Sequence, residues 1–329
     1  MPIMKMILVG VGNFGYRWYT LLKQDYRQTL KVVVVDRDVQ AKNKLDEGDP
    51  FYTSLTEAIE QENPDFVLNA TPPAIHSQIN YMAFDYKLPV LCEKPISDSY
   101  TEAIQMVERA TREKIPFAIA ENYRFFPFCR KVKKLIDERA VGDVSSIHID
   151  FYKSFQTAKE YFLNMEHPLL VDVSIHHLDL IRYFTGTEGK RIFAKSYNPQ
   201  GSWAKNNVSA CLWLEMENGV VVSYNGTMVT RALETSWTGN WVIEGTAGAI
   251  WLRKDQIYLI RNGQSSPIND PQDVSSGNCL DEFILSLQEN RQAETCGLDY
   301  LNTQGLVHFA LEANSLGRMV EVDLHPSSL

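Results

Sequence analysis

A chain of 329 residues with a formal charge of −9 is too acidic to track a nucleic-acid backbone and longer than the usual single domain, so two domains and a small-molecule partner are expected. Hydrophobic residues make up 44% and charged residues 22%, the balance of a globular chain with a sizeable core, and no apolar run approaches the ~18 residues of a membrane-spanning helix. Cys92, Cys129, Cys211, Cys279 and Cys296 are odd in number and form no C-x-x-C pair, which disfavours zinc and favours free thiols in the cytoplasm.

No signal-peptide pattern opens the sequence. The expected strand Met4–Val9 runs directly into Gly10-Val11-Gly12-Asn13-Phe14-Gly15, and the helical stretch Phe14–Gln24 follows. A second apolar strand, Lys31–Asp36, ends in a carboxylate about 20 residues after the loop, the spacing of a dinucleotide-binding unit. Gly10 permits the tight turn, Gly12 admits a pyrophosphate to the backbone amides, and Gly15 allows close helix–strand packing. The diphosphate then sits on the positive end of the helix starting near Asn13. The plainer alternative is a structural turn in an ordinary α/β domain.

Further strands are expected at Phe66–Ala70, Pro89–Cys92 and Pro116–Ala120, and helices at Thr56–Glu60, Ile75–Tyr86 and Asp98–Glu113, with Asp98 as N-cap of the last. Apolar strands alternating with helices imply a parallel, doubly wound sheet. The basic cluster Arg130-Lys131-Lys133-Lys134 reads as a solvated helix face. Past about residue 140 the pattern changes to strands at Val144–Tyr152, Val208–Glu217, Val220–Val229, Gly239–Glu244 and Ala249–Leu252, with Asn218-Gly219 as a hairpin turn. The second domain is therefore α+β on a mainly antiparallel open sheet. Asn262–Gly277, rich in Ser, Pro, Asn and Asp, is expected to be a mobile loop. Helices at Leu280–Gln288 and Leu298–Arg318 are expected to pack back toward the first domain, giving domains 1–122 and 123–329.

Ligands of open α/β sheets bind beyond the carboxyl ends of the strands. Those ends carry the glycine loop, Asp36-Arg37, Thr71-Pro72-Pro73 with His76, Glu93-Lys94-Pro95, and Glu121-Asn122-Tyr123-Arg124. The cofactor candidates are accordingly Gly10, Gly12, Asn13, Phe14, Gly15, Asp36, Arg37, Thr71, Pro72, His76, Glu93 and Lys94. A Glu-Lys pair is commonly a surface ion pair, but at this edge Lys94 is also a candidate catalytic ammonium. In Asp172-Val173-Ser174-Ile175-His176-His177-Leu178-Asp179, helical spacing puts Asp172 and His176 on one face, with Asp179 placed to orient the imidazole. Carboxylate, imidazole and ammonium are the groups that move a hydroxyl proton while hydride leaves carbon. His177 points elsewhere and reads as structural; a metal on Asp172, His176 and His177 matches no common zinc spacing.

Taken together these segments resemble the Gfo/Idh/MocA oxidoreductases, whose members include glucose–fructose oxidoreductase and inositol dehydrogenases. The resemblance rests on Gly10–Gly15, Thr71-Pro72-Pro73 with His76, Glu93-Lys94-Pro95, Tyr123-Arg124-Phe125 with Pro127, Asp172…His176…Asp179, and Glu312-Ala313-Asn314-Ser315 with Arg318. It implies a nicotinamide cofactor, NAD with NADP as the alternative, proton transfer by Lys94 and His176, and Asp172 on a substrate hydroxyl. Where many relatives carry a glycine-rich run, this chain has His167-Pro168-Leu169-Leu170, and Ser174 replaces a glycine usual inside the helix, so no relative's substrate carries over.

The reading is a cytoplasmic dehydrogenase acting on a secondary alcohol of a sugar, polyol or related compound, assembled as a homo-oligomer (dimer or tetramer), with no metal, nucleic-acid or membrane partner. Its rivals are an NAD-dependent glycosidase working through transient oxidation and a non-catalytic NAD-binding sensor. Trp203, Trp213, Trp237, Trp241 and Trp251 can stack on sugar rings, fill a sheet face or line a subunit contact.

Overall fold

The computed structural model describes residues 3–157, 160–268, 274 and 277–324. The chain divides into two compact units, Met1–Glu121 with Cys279–Leu301, and Asn122–Asn278 with Asn302–Leu329.

Unit 1 opens with β1 (Met4–Val9), α1 (Asn13–Asp25), β2 (Leu30–Val35), β3 (Phe51–Tyr52), α2 (Leu55–Glu62) and β4 (Phe66–Asn69). It continues through α3 (His76–Asp85), β5 (Val90–Cys92), α4 (Tyr100–Arg112) and β6 (Phe117–Ile119). The strands form a parallel sheet in the order β3-β2-β1-β4-β5-β6. Its centre is apolar on both faces, with Met6, Ile7, Leu8, Phe66, Val67, Leu68, Val90 and Leu91 all buried, which is why these strands are legible as unbroken hydrophobic runs. Ser99, not Asp98, caps α4: its hydroxyl accepts from the Glu102 amide, while Asp98 is exposed one residue too early. The open side of β6 is closed by a segment far along the chain. Ile119 donates its amide to the Thr295 carbonyl, and the Thr295 hydroxyl returns a bond to the Ile119 carbonyl at 2.7 Å. Tyr300 reaches the buried Glu121 carboxylate at 3.1 Å, and Phe283 packs edge-on against Phe66.

Unit 2 contains α5 (Pro127–Asp137), β7 (Val144–Tyr152), α6 (Glu160–Asn164), a π-turn at Leu169–Val173, α7 (Ser174–Thr185), β8 (Gly189–Tyr197), β9 (Ser209–Met216) and β10 (Val221–Thr227). Then come β11 (Asn240–Gly245), β12 (Gly248–Arg253), β13 (Gln256–Arg261), β14 (Gln264–Ile268), α8 (Cys279–Gln288, in unit 1), α9 (Gly297–Leu316, divided between the units) and β15 (Val320–Glu321). The sheet order is β14-β13-β12-β11-β7-β10-β9-β8-β15, antiparallel except for β7 against β10. The part of the expected mobile loop that forms β14 is instead a polar sheet edge: Ser265, Ser266 and Pro267 are exposed, and among the described residues that strand has no outer neighbour in the sheet. Residues 269–273, 275 and 276 of that stretch lie outside the described residues.

One face of the sheet packs on α7, with Trp241 wholly buried and edge-on to Phe184 at 5.4 Å. The helix is fixed by a buried ion pair. Arg124 donates from Nε and Nη2 to the two Asp179 oxygens at 2.6 and 2.7 Å, with the two side chains 5% and 0% exposed. Thr303 on α9 donates to the same carboxylate at 2.8 Å while accepting from Arg182 at 2.8 Å, and Arg182 makes a bidentate pair with Glu188. Removing one member of such a pair leaves an uncompensated buried charge. Arg124→Ala should therefore cost about 3–5 kcal/mol of unfolding free energy, read as a lower denaturant midpoint at unchanged slope. A loss under about 1 kcal/mol would place this pair with exposed ones.

Candidate active site

The dinucleotide loop is fixed by backbone sterics. Gly10 has φ +86°, and a β-carbon there would meet Thr71 at 3.0 Å. At Gly15 a β-carbon would lie 1.8 Å from the Gly10 carbonyl oxygen, so this contact forbids any side chain. Gly12 differs: its β-carbon would meet no atom of the described residues within 4 Å. Gly12 is the N-cap of α1, no side chain caps that terminus, and the first turn, which includes Asn13, Phe14 and Gly15, holds no acidic residue. The positive helix end is thus left for an anion from outside the chain. Asp36, at the end of β2, accepts the Val11 amide at 2.8 Å and the Asp38 amide at 2.9 Å, one on each oxygen. Each oxygen keeps a lone pair for a ribose hydroxyl. Arg37 beside it is exposed. This donor set fits a dinucleotide: Gly10, Gly12 and the α1 amides for the diphosphate, Asp36 for the ribose.

The next loops are organised from beneath. Asn69, the polar end of β4, accepts from the Thr71 amide and hydroxyl at 3.2 and 2.6 Å and donates to Asn80 at 2.8 Å, which shapes the Thr71-Pro72 turn. His76 stands apart from the other cofactor candidates. It is wholly buried, and its two ring nitrogens lie 2.8 Å from the carbonyls of Pro95 and Thr71. Burial pushes its pKa below the usual range, although both carbonyls pull the other way. His76 therefore ties the Thr71 loop to the Lys94-Pro95 loop, and its buried ring offers no accessible edge to a cofactor. In the latter loop Glu93 accepts from the Trp18 indole at 2.7 Å and from the Lys94 amide at 3.3 Å, which fixes the backbone from which the half-buried Lys94 extends. Trp18 gave no signal in the sequence; its role exists only through the fold.

In unit 2, Asp172 sits in the π-turn rather than in a regular α-helix, and α7 begins only at Ser174. From Leu169 to Arg182 everything is buried except Val171, Asp172 and His176. The two titratable candidates are thus the partly exposed polar groups of that stretch. Asp179, expected to orient the imidazole, is engaged by Arg124 and Thr303. The ring that lies on His176 is Tyr123, stacked with centroids 4.3 Å apart and planes 12° off parallel. His177 is structural, as its position on the helix implies. Ser174 donates to Tyr224 at 3.0 Å, the Tyr224 hydroxyl lies 3.2 Å from His177 Nδ1, and His177 Nε2 lies 3.0 Å from the Trp237 carbonyl. A carbonyl only accepts, so Nε2 carries the proton, Nδ1 accepts from Tyr224, and one directed chain of hydrogen bonds results. Both His177 nitrogens are used, which removes it as a metal ligand, and among the described residues no cluster of three His, Cys, Asp or Glu side chains could hold a metal ion. All five cysteines are free thiols.

Comparison with known proteins decides the class. Residues 4–120 match the model of an oxidoreductase family with an NAD-binding Rossmann fold, and residues 129–251 match the Gfo/Idh/MocA C-terminal domain. The chain belongs to the Gfo/Idh/MocA oxidoreductase family. It is 26% identical to a D-apiose dehydrogenase of Rhizobium rhizogenes over 98% of both chains, and 27% identical to an inositol 2-dehydrogenase of Renibacterium salmoninarum over 56% of each. An oxidoreductase from Agrobacterium radiobacter, solved in complex with NAD+, L-tartaric acid and magnesium, superposes with a TM-score of 0.88 at 24% identity, covering 98% of this chain and 99% of that one. No helix among the described residues is long and apolar enough to cross a membrane. As a Gfo/Idh/MocA member the chain is an oxidoreductase whose first domain binds NAD.

Gly12 and Gly15 should therefore separate on substitution. Gly12→Val should keep native far-UV circular dichroism and thermal midpoint but lose NAD binding in a fluorescence titration. Gly15→Ala should instead destabilise the fold by about 1–3 kcal/mol or more, because backbone must move. Unchanged NAD affinity in Gly12→Val would reduce the loop to a structural turn.

Proposed function

We propose that the chain is an NAD-dependent dehydrogenase of a secondary alcohol in a sugar, polyol or related compound. Residues 1–122 carry the cofactor, and residues 123–329 carry substrate recognition. The observation that supports it most directly is the partial exposure of Asp172 and His176, the two such polar groups between Leu169 and Arg182, in a chain whose first domain binds NAD. The relatives named for apiose and inositol support a polyhydroxylated substrate.

Bound NAD supplies the hydride acceptor at nicotinamide C4. The proton is handled by the chain: His176 accepts it from the reacting hydroxyl as the carbonyl forms, Lys94 stabilises the developing oxyanion, and Asp172 holds a neighbouring hydroxyl. Asp36 favours NAD over NADP, since its carboxylate repels a 2′-phosphate; exposed Arg37 is the counterweight. The five free thiols support a reducing compartment, the cytoplasm.

The test is NADH formation, followed by absorbance, across a panel of polyols and sugars that includes myo-inositol and D-apiose. Lys94→Ala and His176→Ala should each lower kcat by about 10² or more, with NAD affinity preserved in His176→Ala. Normal turnover by His176→Ala would remove the helix from the chemistry, and aglycone release without net NADH would favour the glycosidase.

We propose further that a second copy of the chain covers the outer face of the nine-stranded sheet. Strand register aligns Phe193, Trp213, Ser223, His148, Val242, Trp251 and Tyr258 in one transverse row, each at least partly exposed. Nine strands by about six residues give a face on the order of 800 Å², the area each partner of a standard interface contributes. Trp213→Glu combined with Trp251→Glu should convert an oligomer to a monomer in light scattering; a wild-type protein that is already monomeric would overturn the assignment.

A further inference from the structure

We infer that Tyr123 is a positioning residue for His176, fixing the plane of the imidazole so that its nitrogen-bearing edge faces the reacting hydroxyl. The inference rests on the proposed role of His176 and extends it to the residue whose ring lies against the imidazole. Tyr123 and Arg124 are neighbours in a short turn and are both buried. Arg124 holds Asp179, and Tyr123 stacks on His176, three residues earlier on α7 and on the same face of the helix. One dipeptide thus grips two positions about one turn apart on the helix, the first through a ring face and the second through a charge.

The stack is itself held. The Tyr123 hydroxyl donates to the Trp237 carbonyl at 3.3 Å, the same oxygen that takes His177 Nε2. The rings of adjacent helix residues, His176 and His177, are therefore referred to one backbone point. A histidine χ2 is a broad, two-fold torsion with little preference of its own. A parallel ring at 4.3 Å covers one face of the imidazole and leaves only the flipped and unflipped orientations. General-base geometry is strict, with heavy atoms ~2.6–3.2 Å apart, and a misplacement of about 1 Å costs ~10²-fold. Holding the ring plane is thus worth rate rather than binding.

Two measurements test this. In the proton NMR spectrum of the intact protein, the His176 ring protons, assigned by their disappearance in His176→Ala, should lie upfield from the ring current of Tyr123. They should return toward random-coil positions in Tyr123→Leu and remain upfield in Tyr123→Phe. With NAD and myo-inositol or D-apiose, Tyr123→Leu should lower kcat by about 10- to 100-fold at near-constant KM and NAD affinity, and Tyr123→Phe should recover most of that loss. His176 protons without an upfield shift in the wild-type protein would overturn the stack and need no variant at Tyr123. Tyr123→Leu with wild-type kcat, or Tyr123→Phe as slow as Tyr123→Leu, would overturn the positioning role. The proposed chemistry fails by a separate result, an active His176→Ala.

Discussion

The buried pair of Arg124 and Asp179 is the constraint around which unit 2 is arranged. Two charges removed from water are costly, and their attraction offsets that cost only when geometry is good and the remaining lone pairs are satisfied. Here the guanidinium meets the carboxylate in a bidentate fork, Thr303 adds a third bond, and Arg182 with Glu188 forms a second fork one turn along α7. A hydrophobic replacement would pack as tightly, but it would not dictate the rotation of α7 about its axis. The fork does, because its hydrogen bonds have direction. With the rotation set, His176 occupies a partly exposed position of α7, about one turn after Asp172 in the π-turn.

Unit 1 uses backbone rather than charge for the same purpose. The close approach of Gly15 to the Gly10 carbonyl sets where α1 begins, and Asp36 ties the loop to the end of β2 through the Val11 amide. His76 and Asn69 carry that order along the strand ends to the Thr71 and Lys94 loops. The loops at the strand ends are thus held largely by hydrogen bonds from residues behind them.

Sequence conveys this layering unevenly. Unbroken apolar strands such as Ile7–Val9 and Val32–Val35, and the Asn218-Gly219 turn, are legible because burial on both faces and positive φ leave compositional traces. β8 is harder to see: Lys190, Arg191 and Lys195 interrupt it, since alternate residues point away from the core. β14 resembles a loop because an edge strand favours polar residues and tolerates proline. In the candidate site, the glycines, Asp36, Lys94, Asp172 and His176 stand out in the sequence by their type and spacing. The supports are not: Trp18, Asn69 and the stacked Tyr123 act across long sequence separations, and His76 looked like a ligand only because its burial cannot be read from its neighbours. The π-turn at Leu169–Val173 carries no signal in composition.

The closure of β6 by Thr295 and its neighbours has a consequence for how the chain is born. A ribosome releases the residues of the parallel sheet first, yet the strand at its margin meets its partner only after nearly 180 more residues have been made. Until then the Ile119 amide and carbonyl, the apolar Phe66 surface that Phe283 later covers, and the Glu121 carboxylate that Tyr300 later meets all face solvent or a chaperone. The nucleotide-binding half is therefore first to be synthesised and among the last to be finished. Truncation after residue 122 yields a sheet with a raw margin, and loss of the last third of the chain is felt first in the sheet encoded at its beginning.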